Sequence, residues 1–163
     1  MTESKPSVIV VGVDGTPTAQ TALTFAMREA RLRGSALDVV TTWMWDVDSG
    51  NPSLGIPSDI ARRVRAAQDI AISSALAATA APPVITRHVI EGAAGEELVR
   101  VARNADYLVV GSSHKNVLKR ALLGSVSQYC VRHATCPVVV VPGTCTVEDN
   151  VEVPASIAVA SAG

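Results

Sequence analysis

The sequence predicts an α/β fold: an open, doubly wound sheet of five parallel strands with helices on both faces. Short apolar runs alternate with stretches of helical periodicity in the order β-α-β-α-β-α-β-α-β, which calls for parallel strands joined by right-handed crossovers. The runs are apolar at consecutive positions, as is typical of strands buried on both faces. Hydrophobic residues make up 48% of the 163 residues but aromatic residues only 3%, so Val, Ala, Leu and Ile must form the core of one domain.

The N-terminal part of the chain has the pattern of a β-α-β unit. Residues 8–13 form a continuous apolar run, which predicts the first buried strand. Thr16 is suited to cap the following helix, and Pro17 is suited to be its first residue. Apolar residues then recur at helical spacing until Gly34, which ends the helix, and residues 37–43 form the second strand.

The middle of the chain predicts one long helix and the third strand. Residues 46–57 are rich in Pro, Gly, Ser and Asp, which indicates a flexible loop. Either Ser58 or Asp59 caps an alanine-rich helix that the proline pair at 82–83 ends. Residues 84–90 then form the third strand.

The remaining elements follow at shorter spacing. A turn over residues 92–95 leads to a third helix, and residues 107–110 form the fourth strand. Ser125 and Gln128 have the spacing of a capping box, which predicts that the fourth helix begins there. Val138–Val141 is the fifth strand.

Composition sets the domain organisation and excludes several classes of protein. We predict a domain over residues 1–142 and an extended or mobile tail over 143–163. A net charge of −1 provides no basic excess for a nucleic-acid backbone. The longest uncharged run, residues 70–86, contains two prolines and cannot be a spanning helix. Three cysteines do not suggest a disulfide framework, and the N-terminus has no apolar leader. We therefore expect a cytoplasmic protein that binds neither nucleic acid nor membranes.

Two strand ends carry the candidate site. In an open parallel sheet, ligands bind beyond the carboxyl ends of the strands, where the strand order reverses. The first strand ends in Gly-Val-Asp-Gly at 12–15, and the fourth in Gly-Ser-Ser-His at 111–114. Gly124 and Ser125 then open a helix, whose free amides favour an anion, and the Ser125 hydroxyl adds a hydrogen-bond donor. These residues predict a phosphate cradle without a P-loop, and ordinary turn chemistry is the alternative.

With these residues the sequence resembles the universal stress protein family. Three segments carry the resemblance, at 8–16, 106–125 and 136–141, and as a whole it covers about residues 6–142. The family's nucleotide-binding branch carries Gly-x2-Gly-x9-Gly-Ser/Thr, and this chain has Gly111-x2-His114-x9-Gly124-Ser125. The resemblance implies the strand order 3-2-1-4-5, which reverses between the first and fourth strands.

The resemblance also implies a ligand and the residues that would bind it. The ligand would be ATP, or else AMP or cyclic AMP, with Mg²⁺ as a companion ion of ATP. Asp14 would lie at the adenine or ribose with Gly12 and Val13 beside it, and Thr42 would meet the adenine. The ribose and phosphates would be held by the remaining residues, which are Val110, Gly111, Gly124, Ser125 and Val126. The implied role is that of a stress-response protein. Because the segment between Gly111 and Gly124 is long, we further expect nucleotide to order it, so that occupancy acts as a switch.

His114 is the one departure from the family motif. Its β-carbon takes up space where the family has a glycine, which predicts weakened or abolished binding. Histidine is also among the non-glycine residues that tolerate a positive φ, and its imidazole can donate to a phosphate. The first interpretation makes the chain a dimeric interaction protein without nucleotide, and the second keeps His114 as a ligand. We favour retained binding, because Asp14 and the other motif residues remain.

The sequence contains no convincing metal or catalytic cluster. Cys130, His133, Cys136 and Cys145 could suggest zinc, but Cys130 and His133 follow the apolar stripe of the fourth helix. Cys130 is therefore expected to be a small core residue. With no catalytic base or nucleophile directed at the crevice, we predict no catalytic residue. An adenine-nucleotide hydrolase or phosphotransferase, including one with slow ATP hydrolysis, is the alternative, which no residue supports.

The fifth strand, Val138–Val141, is the candidate dimer interface. In a monomer it would be an apolar sheet edge, and such edges invite pairing. The resemblance implies a homodimer in which these strands pair across a twofold axis. The tail over 143–163 is the alternative cover for the same edge.

Overall fold

The predicted five-stranded parallel sheet is confirmed, with the strand order β3-β2-β1-β4-β5. A computed structural model of the chain describes residues 6–45, 57–112 and 123–147. Its elements are β1 (Val8–Gly12), α1 (Pro17–Arg33), β2 (Ala36–Trp43), α2 (Pro57–Ala77), β3 (Ile85–Glu91), α3 (Ala94–Val101), β4 (Tyr107–Gly111), α4 (Ser125–His133) and β5 (Val138–Val141). A 3₁₀ turn, Ala102–Asn104, follows α3 directly.

The central strand β1 supplies side chains to both faces of the sheet, because successive residues of a strand point in opposite directions. Ile9 and Val11 pack with α1 and α2 in one apolar cluster. Val10, between them, packs with Leu98 of α3 and Cys130 of α4 in a second cluster. Every residue of β1 except its two ends is fully buried, which explains the unbroken apolar run.

Both predicted ends of α1 are confirmed. The Thr16 side chain accepts a hydrogen bond from the amide of Ala19 at 3.2 Å, and Pro17 is the first helical residue. Gly34 adopts the left-handed conformation with φ 65°, and its amide donates to the last carbonyls of the helix, those of Ala30 and Arg31.

The predicted cap and end of α2 are wrong in detail. The helix already begins at Pro57, so Ser58 and Asp59 lie within its first turn, where Asp59 pairs with Arg62 at 2.7 Å. It ends at Ala77, well before the proline pair at 82–83, so the prolines follow the helix and do not end it.

The capping box predicted for α4 is also wrong. Gly124 is the N-cap residue, Ser125 is the first helical residue, and no side chain bonds the amides of this turn as a cap. The nearby Ser127 hydroxyl instead donates to the Gly124 carbonyl at 3.0 Å. Ser125 therefore lies within α4 and does not cap it.

The other strand bounds differ from the prediction by one residue at an end: β1 stops at Gly12, β2 starts at Ala36, β3 is shifted by one, and β4 includes Gly111. α3 already starts within the predicted 92–95 turn. Most of the loop at 46–57, His114, and the tail from 148 onward lie outside the described residues. Among the helices that are described, none is long and apolar enough to cross a membrane. The division into a 1–142 domain and a tail stays a prediction.

Candidate functional site

A cavity of about 370 Å³ lies beyond the carboxyl ends of β1, β2 and β4. It arises from the connectivity, because β1 leads into α1 on one face of the sheet and β4 leads toward α4 on the other. Helices that leave neighbouring strands in opposite directions open a crevice between them. The lining residues are Gly12, Val13, Asp14, Thr16, Thr18, Ala19, Val40, Thr42, Ala94, Leu98, Val110, Gly111, Ser112, Gly124, Ser125, Val126 and Ser127.

Nine of the ten residues predicted from the sequence lie in this lining, and the tenth, His114, falls outside the described residues. The nine are Gly12, Val13, Asp14, Thr42, Val110, Gly111, Gly124, Ser125 and Val126. The structure thus brings them to one cavity, and their binding of a nucleotide stays a prediction.

Sequence reasoning did not assign the eight other lining residues to the site; they are Thr16, Thr18, Ala19, Val40, Ala94, Leu98, Ser112 and Ser127. Thr16 caps α1, and Thr18 and Ala19 belong to its first turn, which was identifiable because it follows a strand end already chosen. Ala94 and Leu98 come from α3, which the sequence alone did not direct toward this crevice.

The Asp14 carboxylate is held in place by the start of α1. Its Oδ1 atom accepts hydrogen bonds from the Thr16 amide at 3.0 Å and from the Thr16 hydroxyl at 2.6 Å. The same hydroxyl oxygen accepts from the Ala19 amide, so one threonine caps the helix and orients the acid. Asp14 is exposed at the cavity and is therefore free to meet a ligand that donates hydrogen bonds.

Three helices begin at the cavity. Residues of the first turns of α1, α3 and α4 line it, including Thr18, Ala94 and Ser125. The first amides of a helix have no partner within it, and they carry the positive end of the helix dipole. Since Gly124 has no side chain to cap α4, the amides of this turn are available to an anion.

Two glycines of the lining are closely packed against neighbouring elements. A β-carbon on Gly12 would lie 2.9 Å from Leu98 Cδ1, and one on Gly111 would lie 3.1 Å from the backbone carbon and oxygen of Thr18. The space that a side chain at Gly111 would fill is occupied by α1, so the glycine is required for close packing of that helix on β4.

The charge of the described lining is low. Asp14 is the one charged side chain in it, and no lysine, arginine or histidine belongs to it. Within the same described ranges, no group of three or more His, Cys, Asp or Glu side chains is placed to hold a metal ion. The groups of the described lining that could bind an anion are therefore helix amides and hydroxyl groups.

The cysteines lie away from this cavity. Cys130 is fully buried in the second apolar cluster, as its helical position predicted, and Cys136 packs against the same cluster. Burial raises the pKa of the Cys130 thiol to about 11, which keeps it protonated at neutral pH. Cys145 is exposed.

Comparison with known proteins identifies the family. The family model described as "Universal stress protein family" matches residues 7–142. The chain belongs to this family. The universal stress protein Rv2623 of Mycobacterium tuberculosis (strain ATCC 25618 / H37Rv) is 32% identical over 150 residues, which cover 82% of this chain and 46% of the relative. This universal stress protein domain thus spans about half the length of the curated relatives it matches.

Solved universal stress proteins share its fold. One of them, a universal stress protein in complex with cAMP, is 26% identical with a TM-score of 0.65, over 86% of this chain and all of that one. UspA from Lactobacillus plantarum has a TM-score of 0.67 over 85% of this chain and 99% of its own length. At 24% identity, that second likeness shows the fold alone.

Proposed function

We propose that this universal stress protein domain binds an adenine nucleotide, in the first place ATP, in the cavity between the ends of β1 and β4. The observation that carries the proposal is the convergence of the Gly12–Asp14 strand end, the Gly111 strand end and the uncapped start of α4 on one cavity. A volume of about 370 Å³ is within the range of small-molecule sites. The related structure that holds cAMP is consistent with such a ligand.

The polar groups of the cavity favour one orientation of the nucleotide. Asp14 accepts hydrogen bonds and repels phosphate, so it suits the hydroxyl groups of the ribose. The amides at the start of α4 suit the phosphates, which places these beside Gly124, Ser125 and Val126. The adenine then lies toward Thr42, on the far side of β1. Neighbouring strands are about 4.8 Å apart, so β2 and β4 provide a site roughly 10 Å wide for this extended ligand.

The companion ion and the assembly belong to the same proposal. Mg²⁺ would be held mainly by the phosphates of ATP, since Mg²⁺ sites of this kind use one or two carboxylates at most and Asp14 is the carboxylate of the described lining. A homodimer would form through Val138–Val141, the last strand of the sheet. Nucleotide occupancy would change the segment 111–125 and hence the surface that the dimer presents to a partner. A cytoplasmic location remains our expectation.

Calorimetric titration with Mg-ATP, after co-purified nucleotide has been removed, tests the proposal. We expect saturable binding at micromolar affinity, about −8 kcal/mol, and weaker binding after Asp14→Ala. The matched control is Asp59→Ala, an acid of α2 that pairs with Arg62 and does not line the cavity. No binding up to millimolar ATP would contradict the proposal and favour the alternative, a dimeric interaction protein in which His114 blocks the phosphate site.

Hydrogen exchange tests the switch separately. Amides of residues 111–125 should gain protection when ATP is bound, because the ligand covers Gly111 and the start of α4. Equal protection with and without nucleotide, at a concentration that saturates the site, would contradict the switch and leave binding intact.

A further inference from the structure

One hydroxyl group of the cavity is buried and unpaired. Ser112 is 4% exposed and lines the cavity, and its Oγ atom has no hydrogen-bond partner among the described residues. Two other lining hydroxyls already donate within the protein: that of Thr16 to the Asp14 carboxylate, and that of Ser127 to the Gly124 carbonyl. Within the described part of the chain, the Ser112 hydroxyl thus remains an unused donor.

An unused buried hydroxyl indicates a missing partner. Buried polar groups in folded proteins are nearly always hydrogen-bonded, and one left unpaired destabilises the protein that contains it. The backbone at Ser112 is held by the sheet, because the Ser112 amide donates to the Val141 carbonyl at 2.9 Å and so extends the pairing of β4 with β5. The unpaired hydroxyl is therefore not explained by a flexible backbone. The backbone is fixed, and the side chain alone needs a partner.

We propose that the Ser112 hydroxyl donates a hydrogen bond to a phosphate oxygen of the bound nucleotide. This inference rests on the proposed function and adds to it a residue that binds the phosphate. Serine has three staggered side-chain positions, so a rotation about the Cα–Cβ bond directs the hydroxyl to the ligand without moving the backbone.

The sheet topology favours the phosphate over the base. Thr42 ends β2 on one side of β1, whereas Ser112 follows β4 on the other side, next to β5. The start of α4, with Ser125 and Val126, lines the same cavity as Ser112. A donor at this end meets the anionic part of a nucleotide that lies across the strand ends. The Ser112 hydroxyl would act there together with the free amides at the start of α4.

The test compares Ser112→Ala with the native chain in titrations with AMP and with adenosine. A hydrogen bond to a charged group is strong enough that its loss should weaken AMP binding by about ten- to a hundredfold. Adenosine lacks the phosphate, so its affinity should not change. The ligand-free variant should be as stable as the native protein or more stable, because the substitution removes an unpaired polar group from the interior.

Ser35→Ala is the matched control. Ser35 is also 4% exposed, but its hydroxyl is paired with that of Ser7 at 2.5 Å, at the amino ends of β1 and β2 and so away from the cavity. This variant should lose stability and keep the native affinity for both ligands.

The outcomes separate the two levels of the proposal. If the native chain binds neither AMP nor adenosine, the proposed function fails and the role of Ser112 with it. If the native chain binds AMP and Ser112→Ala binds it equally well, the role of Ser112 alone is overturned. Equal losses for AMP and adenosine, or a loss of ligand-free stability as large as that of Ser35→Ala, would show a structural role and would likewise overturn it.

Discussion

Gly111 and Gly12 offer a sharp test of how the cavity is built. A β-carbon on Gly12 would meet Leu98 Cδ1 at 2.9 Å, and one on Gly111 would meet Thr18 Cγ2 at 3.0 Å and the Thr18 backbone at 3.1 Å. By the shortest distance alone, Gly12→Ala should be the more damaging change. We predict the reverse, because the Leu98 methyl group ends a flexible side chain that borders an open cavity, whereas the Thr18 backbone belongs to a capped helix.

The magnitudes follow from the atoms that must move. Overpacking against α1 costs about 1–3 kcal/mol, and replacing glycine returns about 0.4–1 kcal/mol by restricting the unfolded chain. Gly111→Ala should therefore lower the free energy of unfolding by about 1–2 kcal/mol. In Gly12→Ala, moving the Leu98 side chain to another rotamer costs about 0.5–1.5 kcal/mol. The gain of about 0.4–1 kcal/mol from replacing glycine nearly offsets this cost. Gly12→Ala should thus stay within about 1 kcal/mol of the native protein.

Urea unfolding of both variants and the native chain measures the difference. The slope of the unfolding free energy against urea concentration should be the same for all three proteins, so that their stabilities can be compared directly from the unfolding midpoints. Neither glycine has a positive φ, so backbone strain does not enter the comparison. If Gly12→Ala is the less stable variant, or if Gly111→Ala unfolds at the native midpoint, α1 is not packed on β4 as described.

Two further predictions concern α1 and the core. Thr16→Ala removes the hydroxyl that caps α1 and orients Asp14, so it should destabilise the protein by about 1 kcal/mol in urea unfolding. Thr21→Ala, which removes a hydroxyl from the interior of the same helix, should be neutral or stabilising, and an equal loss from both would contradict the cap. Burial raises the pKa of Cys130 to about 11, so the folded state keeps a proton that the unfolded thiol loses at lower pH. Stability should therefore fall between about pH 8.5 and 11, by roughly 3 kcal/mol at most. Cys130→Ala should show a smaller fall over this range, and identical pH profiles for the two proteins would refute the raised pKa.

The alternation of apolar runs and helical stretches was sufficient to predict each strand and α-helix that the structure describes. The reason is physical: strands buried on both faces must be apolar throughout, and β1 meets this condition with Ile9 and Val11 on one face and Val10 on the other. The ends of α1 were predictable as well, because Thr16 and Gly34 act through local geometry alone.

Two of the errors concern helix starts, where one sequence pattern is compatible with more than one position of the N-cap. Ser125 and Gln128 have capping-box spacing, yet the chain starts α4 one residue earlier, with Gly124 as the N-cap. Asp59 suits a cap but lies inside the first turn of α2, where it pairs with Arg62. In both cases the same residue types are favourable at the cap and just within the helix, so sequence alone did not separate the two positions.

The role of Gly111 shows why a site cannot be read fully from its own residues. The sequence placed this glycine at the cavity, which is where it lies, and assigned it to the ligand. Its missing side chain also admits Thr18, a contact that the sequence did not indicate, and Thr18 in turn lines the cavity. Gly12 and Leu98 are related in the same way on the opposite face of the sheet. The contacts that pack two helices against the sheet are therefore also the contacts that shape the cavity. A ligand that changes the position of Thr18 or Leu98 must therefore also act on the packing of α1 or α3 against the sheet.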